Sequence, residues 1–246
     1  MYDPIKDGIN KKENSVEYNE LKPSADLVGM VHSFWELKTN TILENDFVLH
    51  VIPDACVNIL LNLVDTRIAA VTSRLTTYVA LNLGKRFHYV GIQLLPGMWI
   101  GNRDEIVQGF VDSPYEGSLP LVDTANKLVG KKFSEFGLVL SELVQSLVVN
   151  KLVGENIITS RILSDIDVID SVEDMAASAN LSTRQLQRIL KQTTGFTPHD
   201  FLKILRLQLS FRGQYLDYFS DQSHFIHSFR KITGYTPADY FKNFHV

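Results

Sequence analysis

The sequence predicts an α+β protein: an N-terminal β-barrel or sandwich with flanking helices, then an all-α module with a helix-turn-helix and a repeated helical unit. Three observations predict it. Residues 27–118 are rich in β-branched and large apolar residues and are broken by turn signals. After Pro120 the apolar residues recur near the 3.6 period of a helix. The stretch STRQLQRILKQTTGFTP at 182–198 then returns 39 residues later, at 221–237, as DQSHFIHSFRKITGYTP.

The whole chain sets the bounds. Its 246 residues fit one large domain or two modest ones, and 45% hydrophobic with 21% charged residues is globular rather than disordered. Cys56 is the single cysteine and cannot form an internal disulfide, so it reads as a buried, inert thiol in a reducing, cytoplasmic compartment. The longest apolar stretches, such as VNILLNLV at 57–64, fall far below the ~20 residues of a membrane-spanning helix. The opening MYDPIKDGINKKENSVEYNE is polar with no signal core, and residues 1–20 are expected to form a poorly ordered lead. The net charge of −4 is unevenly spread. Residues 180–246 carry nine Lys/Arg against four Asp/Glu, or +5, which leaves −9 for the rest. A basic module on an acidic body is a pattern of nucleic-acid binders.

Taken in order, FVLHVIPDACVNILLNLV at 47–64 reads as strand, turn at Pro53-Asp54, and strand. TSRLTTYVALNL (72–83) and RFHYVGIQLLPG (86–97) read as two strands joined tightly at Gly84-Lys85. Together they place a mainly antiparallel barrel or sandwich over 21–120. Residues 121–168 form a helical connector in which Leu138, Leu140, Leu143, Val144, Leu147 and Val148 follow helical spacing. Its off-stripe apolar residues fit either a core helix docked on the barrel or a homodimer contact. From 169 onward the chain is short helices. Ser171 with Asp174 and Ser182 with Gln185 are capping pairs, so helices begin near 172 and 183, joined by a tight turn at Ala179-Asn180-Leu181.

The duplication is one structural unit used twice. At the offset of 39, Thr194-Gly195-Phe196-Thr197-Pro198 falls on Thr233-Gly234-Tyr235-Thr236-Pro237, Asp200 on Asp239, Phe201 on Tyr240 and Lys203 on Lys242. Each unit is a helix ended by a left-handed Gly, after which Pro opens the next helix. On the first helix Arg184, Gln187, Arg188 and Lys191 sit at i, i+3, i+4 and i+7, opposite Leu186, Ile189 and Leu190. Such a stripe, on a helix that follows a short helix and a tight turn, suits the major groove. Arg bonds guanine and Gln bonds adenine in bidentate fashion, while Lys and a helix N-terminus suit phosphate.

These residues resemble the DNA-binding module of AraC/XylS-type transcription regulators. VEDMAASANLSTRQLQRILKQTTGFTPHDFLKILRLQ resembles the first helix-turn-helix and linker helix, and DQSHFIHSFRKITGYTPADYF resembles the C-terminal signature. The resemblance covers roughly 170–246. It implies a transcription regulator that binds double-stranded promoter DNA through successive major grooves, with RNA polymerase as a further partner. Carried over by position, Arg184, Gln187 and Arg188 face bases in the first unit, and Gln222, Ser223 and His227 in the second. Ser182, Thr183, Lys191, Arg230 and Lys231 face phosphates, whereas His224 and Phe225 pack or support the turn. The N-terminal part resembles the cupin-like sensor domains of some of these regulators, through LVGMVHSFWEL (27–37), HVIPDACVNILLNL (50–63) and VGIQLLPGMW (90–99). That implies small-molecule sensing, dimerisation or both. Trp35, His50, Asp54, Asn58, Tyr89 and Gln93 are the nominated effector contacts.

The chain departs from the family in its second unit. Only RLQLSFRGQYLDYFS (206–220) lies before it, too short for a full linker helix and a full supporting helix, and Gly213 costs about 1 kcal/mol in a helix interior. The second unit is therefore expected to be shortened, with His227 a weaker reader than an Arg. A family member that has lost specific DNA binding and works through a protein or effector is the alternative. Catalysis finds no support. There is no Gly-x-Ser-x-Gly and no phosphate loop, and His32, His50 and His88 are far apart with no His-x-His pair, so no catalytic residue, metal ligand or cofactor is assigned.

Overall fold

Alternation along the N-terminal strands decides the architecture, because successive side chains on a strand face opposite sides of the sheet. The computed structural model describes residues 2–5, 7–73, 76–211 and 222–245. Among these, β1 is Ile9–Asn10, β2 Val16–Leu21, β3 Val31–Thr39, β4 Phe47–Val51 and β5 Val57–Asn62. They are followed by β6 Ala69–Ser73, β7 Val79–Gly84, β8 His88–Leu94 and β9 Ile106–Val107. A six-stranded sheet runs in the order β2-β3-β8-β5-β6-β9, antiparallel except for the β6–β9 pair. On one face Phe34, Ile59, Leu61, Val90, Ile92 and Leu94 join the main core. On the other, Trp35, Leu37, Leu60 and Tyr89 belong to a second cluster with Phe47, Leu49 and Phe87. The two-stranded β4–β7 sheet contributes to that second cluster, so β7 and β8 lie in different sheets although only Gly84 to Phe87 join them. Gly84 takes the turn at φ +75°.

The opening residues are not a loose lead. β1 pairs with β10 (Phe244–His245) at the other end of the chain, and β2 pairs with β3 over six residue pairs from Val16↔Thr39 to Leu21↔Phe34. Tyr2 is 2% exposed and donates its hydroxyl to the Asp54 carbonyl at 2.7 Å. The reason is alternation hidden among polar residues. Val16 and Tyr18 face the second cluster while Glu17 faces solvent. The reading of 72–83 as one strand also fails. β6 ends at Ser73, and Tyr78 leaves the sheet, its N–H donating to the Ile232 carbonyl at 2.8 Å.

Helices cover the outer face. α1 (Leu121–Leu128), α2 (Phe136–Val149) and α3 (Ile157–Ser164) bury Leu121, Ala125, Phe136, Leu140, Leu143 and Leu147 in the main core with the sheet. Leu138, on the predicted stripe, instead stands 73% exposed, as does Val149 at 81%. The same core continues into α4 (Val172–Ser178), α5 (Thr183–Thr193) and α6 (Pro198–Ser210) through Met175, Leu186, Leu190 and Phe201. α6 buries Phe201, Leu202, Ile204, Leu205, Leu207 and Leu209 and keeps His199, Asp200, Lys203 and Arg206 on its less buried side. A third cluster joins Ile52 to Leu207, Phe225, Phe229, Ile232 and Tyr240, which brings in α7 (Gln222–Thr233) and α8 (Pro237–Asn243). Gly213 and most of the shortened stretch 206–220 lie outside the described residues.

Candidate nucleic-acid interface and candidate ligand cavity

The first helix-turn-helix forms as its local signals require. Ser171 caps α4, accepting from the Asp174 N–H at 3.0 Å. Asn180 takes φ +55° in the turn, and its N–H donates to the Ala177 carbonyl at 2.9 Å. Ser182 and Gln185 form a reciprocal capping box, with Ser182 N–H donating to Gln185 Oε1 at 2.9 Å and Gln185 N–H to Ser182 Oγ at 3.3 Å. Leu186 and Leu190 are thereby turned inward. Arg184, Gln187 and Arg188 stand exposed on the opposite side, with Ser182 and Thr183 exposed at the helix start. Lys191 is exposed too, but its Nζ donates to the Gly195 carbonyl at 3.0 Å and so ties down its own helix end.

On α7, Phe225, Ser228, Phe229 and Ile232 are buried. Gln222, Ser223, His227, Arg230 and Lys231 are exposed. His224 is exposed as well, whereas Phe225 packs in the third cluster. Lys203 of α6 adds to the basic surface, which the position-by-position reading missed although the repeat aligns it with Lys242. Burial and the neighbouring Lys231 charge pull its amine below the usual range, with Asp200 opposing them.

A cavity of about 150 Å³ lies between the two sheets. Its wall includes Trp35, Asp54, Asn58, Tyr89 and Gln93. Gly91 makes room for the Trp35 ring, since a Cβ there would stand 2.1 Å from it. Trp35 Nε1 donates to Asn58 Oδ1 at 3.2 Å. His50 is a correction. Its strand neighbours Leu49 and Val51 line the cavity, so His50 points the other way. It is 4% exposed inside a box of rings, Tyr78 at 4.8 Å, Phe244 at 5.0 Å, Tyr235 at 5.3 Å and Tyr240 at 5.5 Å. Neither ring nitrogen makes a well-formed hydrogen bond. Burial pulls the imidazole below its usual range, and the Thr233 backbone is too weak to offset it.

Asp7 and Tyr18 also line the cavity and went unread in the sequence. Tyr18 had a signal in the alternation of β2, whereas Asp7 had none. Burial first, then the Asp54 charge, push the Asp7 carboxyl up to about 8 against one hydrogen bond from the Ile52 N–H at 3.2 Å. Burial also raises Asp54, opposed by bonds from the Cys56 N–H at 2.9 Å and Gln93 Nε2 at 2.6 Å, and by His32. Gln93 Oε1 meets His32 Nδ1 at 2.8 Å, and His32 Nε2 meets the exposed Asp3 Oδ1 at 2.8 Å. A chain of polar groups thus runs from the surface to the cavity.

Two joints tie the cavity wall to the helices. Gln208 of α6, 1% exposed, accepts from the Ile5 N–H at 2.8 Å and donates to the Pro53 carbonyl at 2.7 Å. Ile52 both lines the cavity and packs in the third cluster. Away from the cavity, Glu36 is held by His88 at 2.8 Å, Lys38 at 3.1 Å and Asn19 at 3.1 Å. Burial pushes its carboxyl up, but these partners outweigh burial and hold it below the usual range. Cys56 is buried, and desolvation pushes its thiol up, away from nucleophilic use. Among the described residues no group of three His, Cys, Asp or Glu could hold a metal ion, and no helix is long and apolar enough to cross a membrane.

Residues 19–101 match a family described as a domain of unknown function, DUF6597. No curated protein gives a significant match. Among solved structures the chain is similar to ToxT from Vibrio cholerae, at 11% identity and a TM-score of 0.43, covering 93% of this chain and 98% of that one. It is also similar to unsaturated fatty acid-bound wild-type ToxT from Vibrio cholerae strain SCE256, at 12% identity and a TM-score of 0.43, covering 99% of this chain and 98% of that one.

Proposed function

We propose that the chain is a ligand-responsive transcription regulator of the AraC type, with a small-molecule cavity in its β domain and sequence-specific DNA binding in its helical module. The observation that carries this reading is the free ridge of Arg184, Gln187 and Arg188 on α5, backed by Leu186 and Leu190 and set at its start by the Ser182 capping box. Arg184 and Arg188 read base edges in a major groove, Gln187 reads a neighbouring base, and the exposed N-terminus of α5 with Ser182 and Thr183 seats a phosphate. On α7, Gln222, Ser223 and His227 face bases more weakly, while Arg230 and Lys231, with Lys203 of α6, hold the backbone. Ile52 joins the cavity wall to α7 and α8, and Gln208 joins Ile5 and Pro53 beside it to α6. A ligand shifts DNA affinity only so far as it binds one of two arrangements of that joint better than the other.

The test is selection of bound fragments from genomic DNA at physiological salt, followed by titration of the selected fragment at rising salt. A regulator enriches a shared sequence, and its affinity falls steeply with salt as counterions return to the phosphates. Absence of any enriched sequence points to the alternative, a family member without specific DNA binding.

A further inference from the structure

We propose that the cavity takes a small organic cation, an amine on an apolar or aromatic body, whose ammonium group sits against Asp7 and Asp54. The inference deepens the ligand-responsive reading above and rests on it for its biological sense. The charged side chains that line the cavity among the described residues are Asp7 and Asp54; no Lys, Arg or His of those residues lines it, and His32 reaches Asp54 only through Gln93. Asp54 has both oxygens bonded, to the Cys56 N–H and to Gln93. Asp7 accepts one bond, from the Ile52 N–H through Oδ1, and no donor among the described residues reaches its Oδ2. Two neighbouring carboxylates with no Lys or Arg beside them among the described residues are costly in an apolar enclosure. A proton on Asp7 relieves that cost when the cavity is empty, and an ammonium group relieves it when the cavity is full. The rest of the wall suits the body of such a ligand. Trp35, Tyr18, Tyr89 and Phe110 offer aromatic surface, which attracts cations, while Leu49 and Leu81 offer aliphatic surface. An anionic ligand would add negative charge beside these carboxyls instead of offsetting it.

Asp7 is also well placed to report occupancy. It lies between Ile5, whose N–H is held by Gln208 of α6, and β1, which pairs with β10 after α8. A cation drawn to Asp7 therefore pulls on the segment that joins the cavity to the second helical unit.

Calorimetric titration of the full chain with benzylamine, benzoate and benzyl alcohol tests the inference, because the three probes share a ring and differ in charge. Benzylamine should bind saturably, the alcohol about tenfold or more weakly, and benzoate not at all. Asp7→Asn should melt cooperatively and lose the preference for the amine. Benzoate binding as well as the amine overturns the inference. So does an alcohol equal to the amine, an amine without saturable heat, or a folded Asp7→Asn that keeps the preference. If that variant does not fold, the wild-type pH dependence decides. The groups facing Asp7 are Asp54, Tyr18 and Tyr240, and both tyrosine hydroxyls are pushed up by burial and by the carboxylates, so they stay neutral in this range. With Asp7 at about 8, amine binding below that pH displaces a proton. Affinity should then rise by up to about tenfold per pH unit below pH 8 and level off above it. A flat profile overturns the inference. DNA binding scored separately without amine keeps the two readings apart. DNA binding with no amine binding sinks this inference alone, and amine binding with no DNA binding sinks the regulator reading alone.

Discussion

The unit built from α5 and α6 and the unit built from α7 and α8 are joined by the same bonds. In the first, Gly195 ends the helix at φ +81°, the Thr197 hydroxyl accepts from the Asp200 N–H at 3.2 Å, and the same hydroxyl donates to Asp200 Oδ2 at 2.7 Å. In the second, Gly234 takes φ +80°, and Thr236 repeats both bonds to Asp239 at 3.2 and 2.7 Å. Their surroundings differ. The first unit carries the Arg184–Arg188 ridge and shares the main core with α1 to α3. The second is fastened to the cavity side of the β domain by Ile52, by the ring box around His50 and by the β1–β10 pair. In the function proposed above, the same joint serves two roles, with the first unit reading DNA and the second relaying the state of the cavity.

The largest effect expected is common to both units. Phe201→Ala and Tyr240→Ala remove equivalent buried rings, and each should cost about 3–5 kcal/mol in denaturant unfolding. A much smaller loss at Tyr240 would mean that the second unit is not packed as described. Next comes Gln208→Ala, which strands the Ile5 N–H and the Pro53 carbonyl. It should cost about 1–3 kcal/mol and weaken any ligand effect on DNA binding, as read by melting and by anisotropy. Thr197→Ala and Thr236→Ala should each cost about 1 kcal/mol, and nearly the same amount, because their caps match. Unequal losses would break the equivalence of the joints. Asp7→Asn sharpens the picture through pH. A carboxyl raised to about 8 in the folded state and near 3.8 when unfolded gives stability that is fully present below the lower value and lost as pH rises through the higher. The variant should therefore melt above the wild type at pH 8, with the gap closing towards pH 4.

Much of the helical module was legible because its signals are local. Ser171 with Asp174, Ser182 with Gln185, Thr197-Pro198 and Gly195 each specify a cap or a turn within four residues, and α4, α5 and α6 begin where those residues place them. The β domain was legible as strands but not as pairings, since β7 joins β4 and β8 joins β3 and β5 for reasons of tertiary packing. His50 was misplaced although period-two parity with Leu49 and Val51 was available. Asp7 was missed because nothing in a polar N-terminal stretch marks one carboxylate for burial. Its place depends on β1 finding β10 across the whole chain.

The most direct test of the central claim compares Arg188→Ala with His227→Ala in gel-shift titration on a selected genomic fragment. The account predicts a loss of about 1–3 kcal/mol in specific binding for Arg188→Ala, a clearly smaller loss for His227→Ala, and wild-type melting for both exposed positions. Equal losses, or no loss at Arg188, would contradict it.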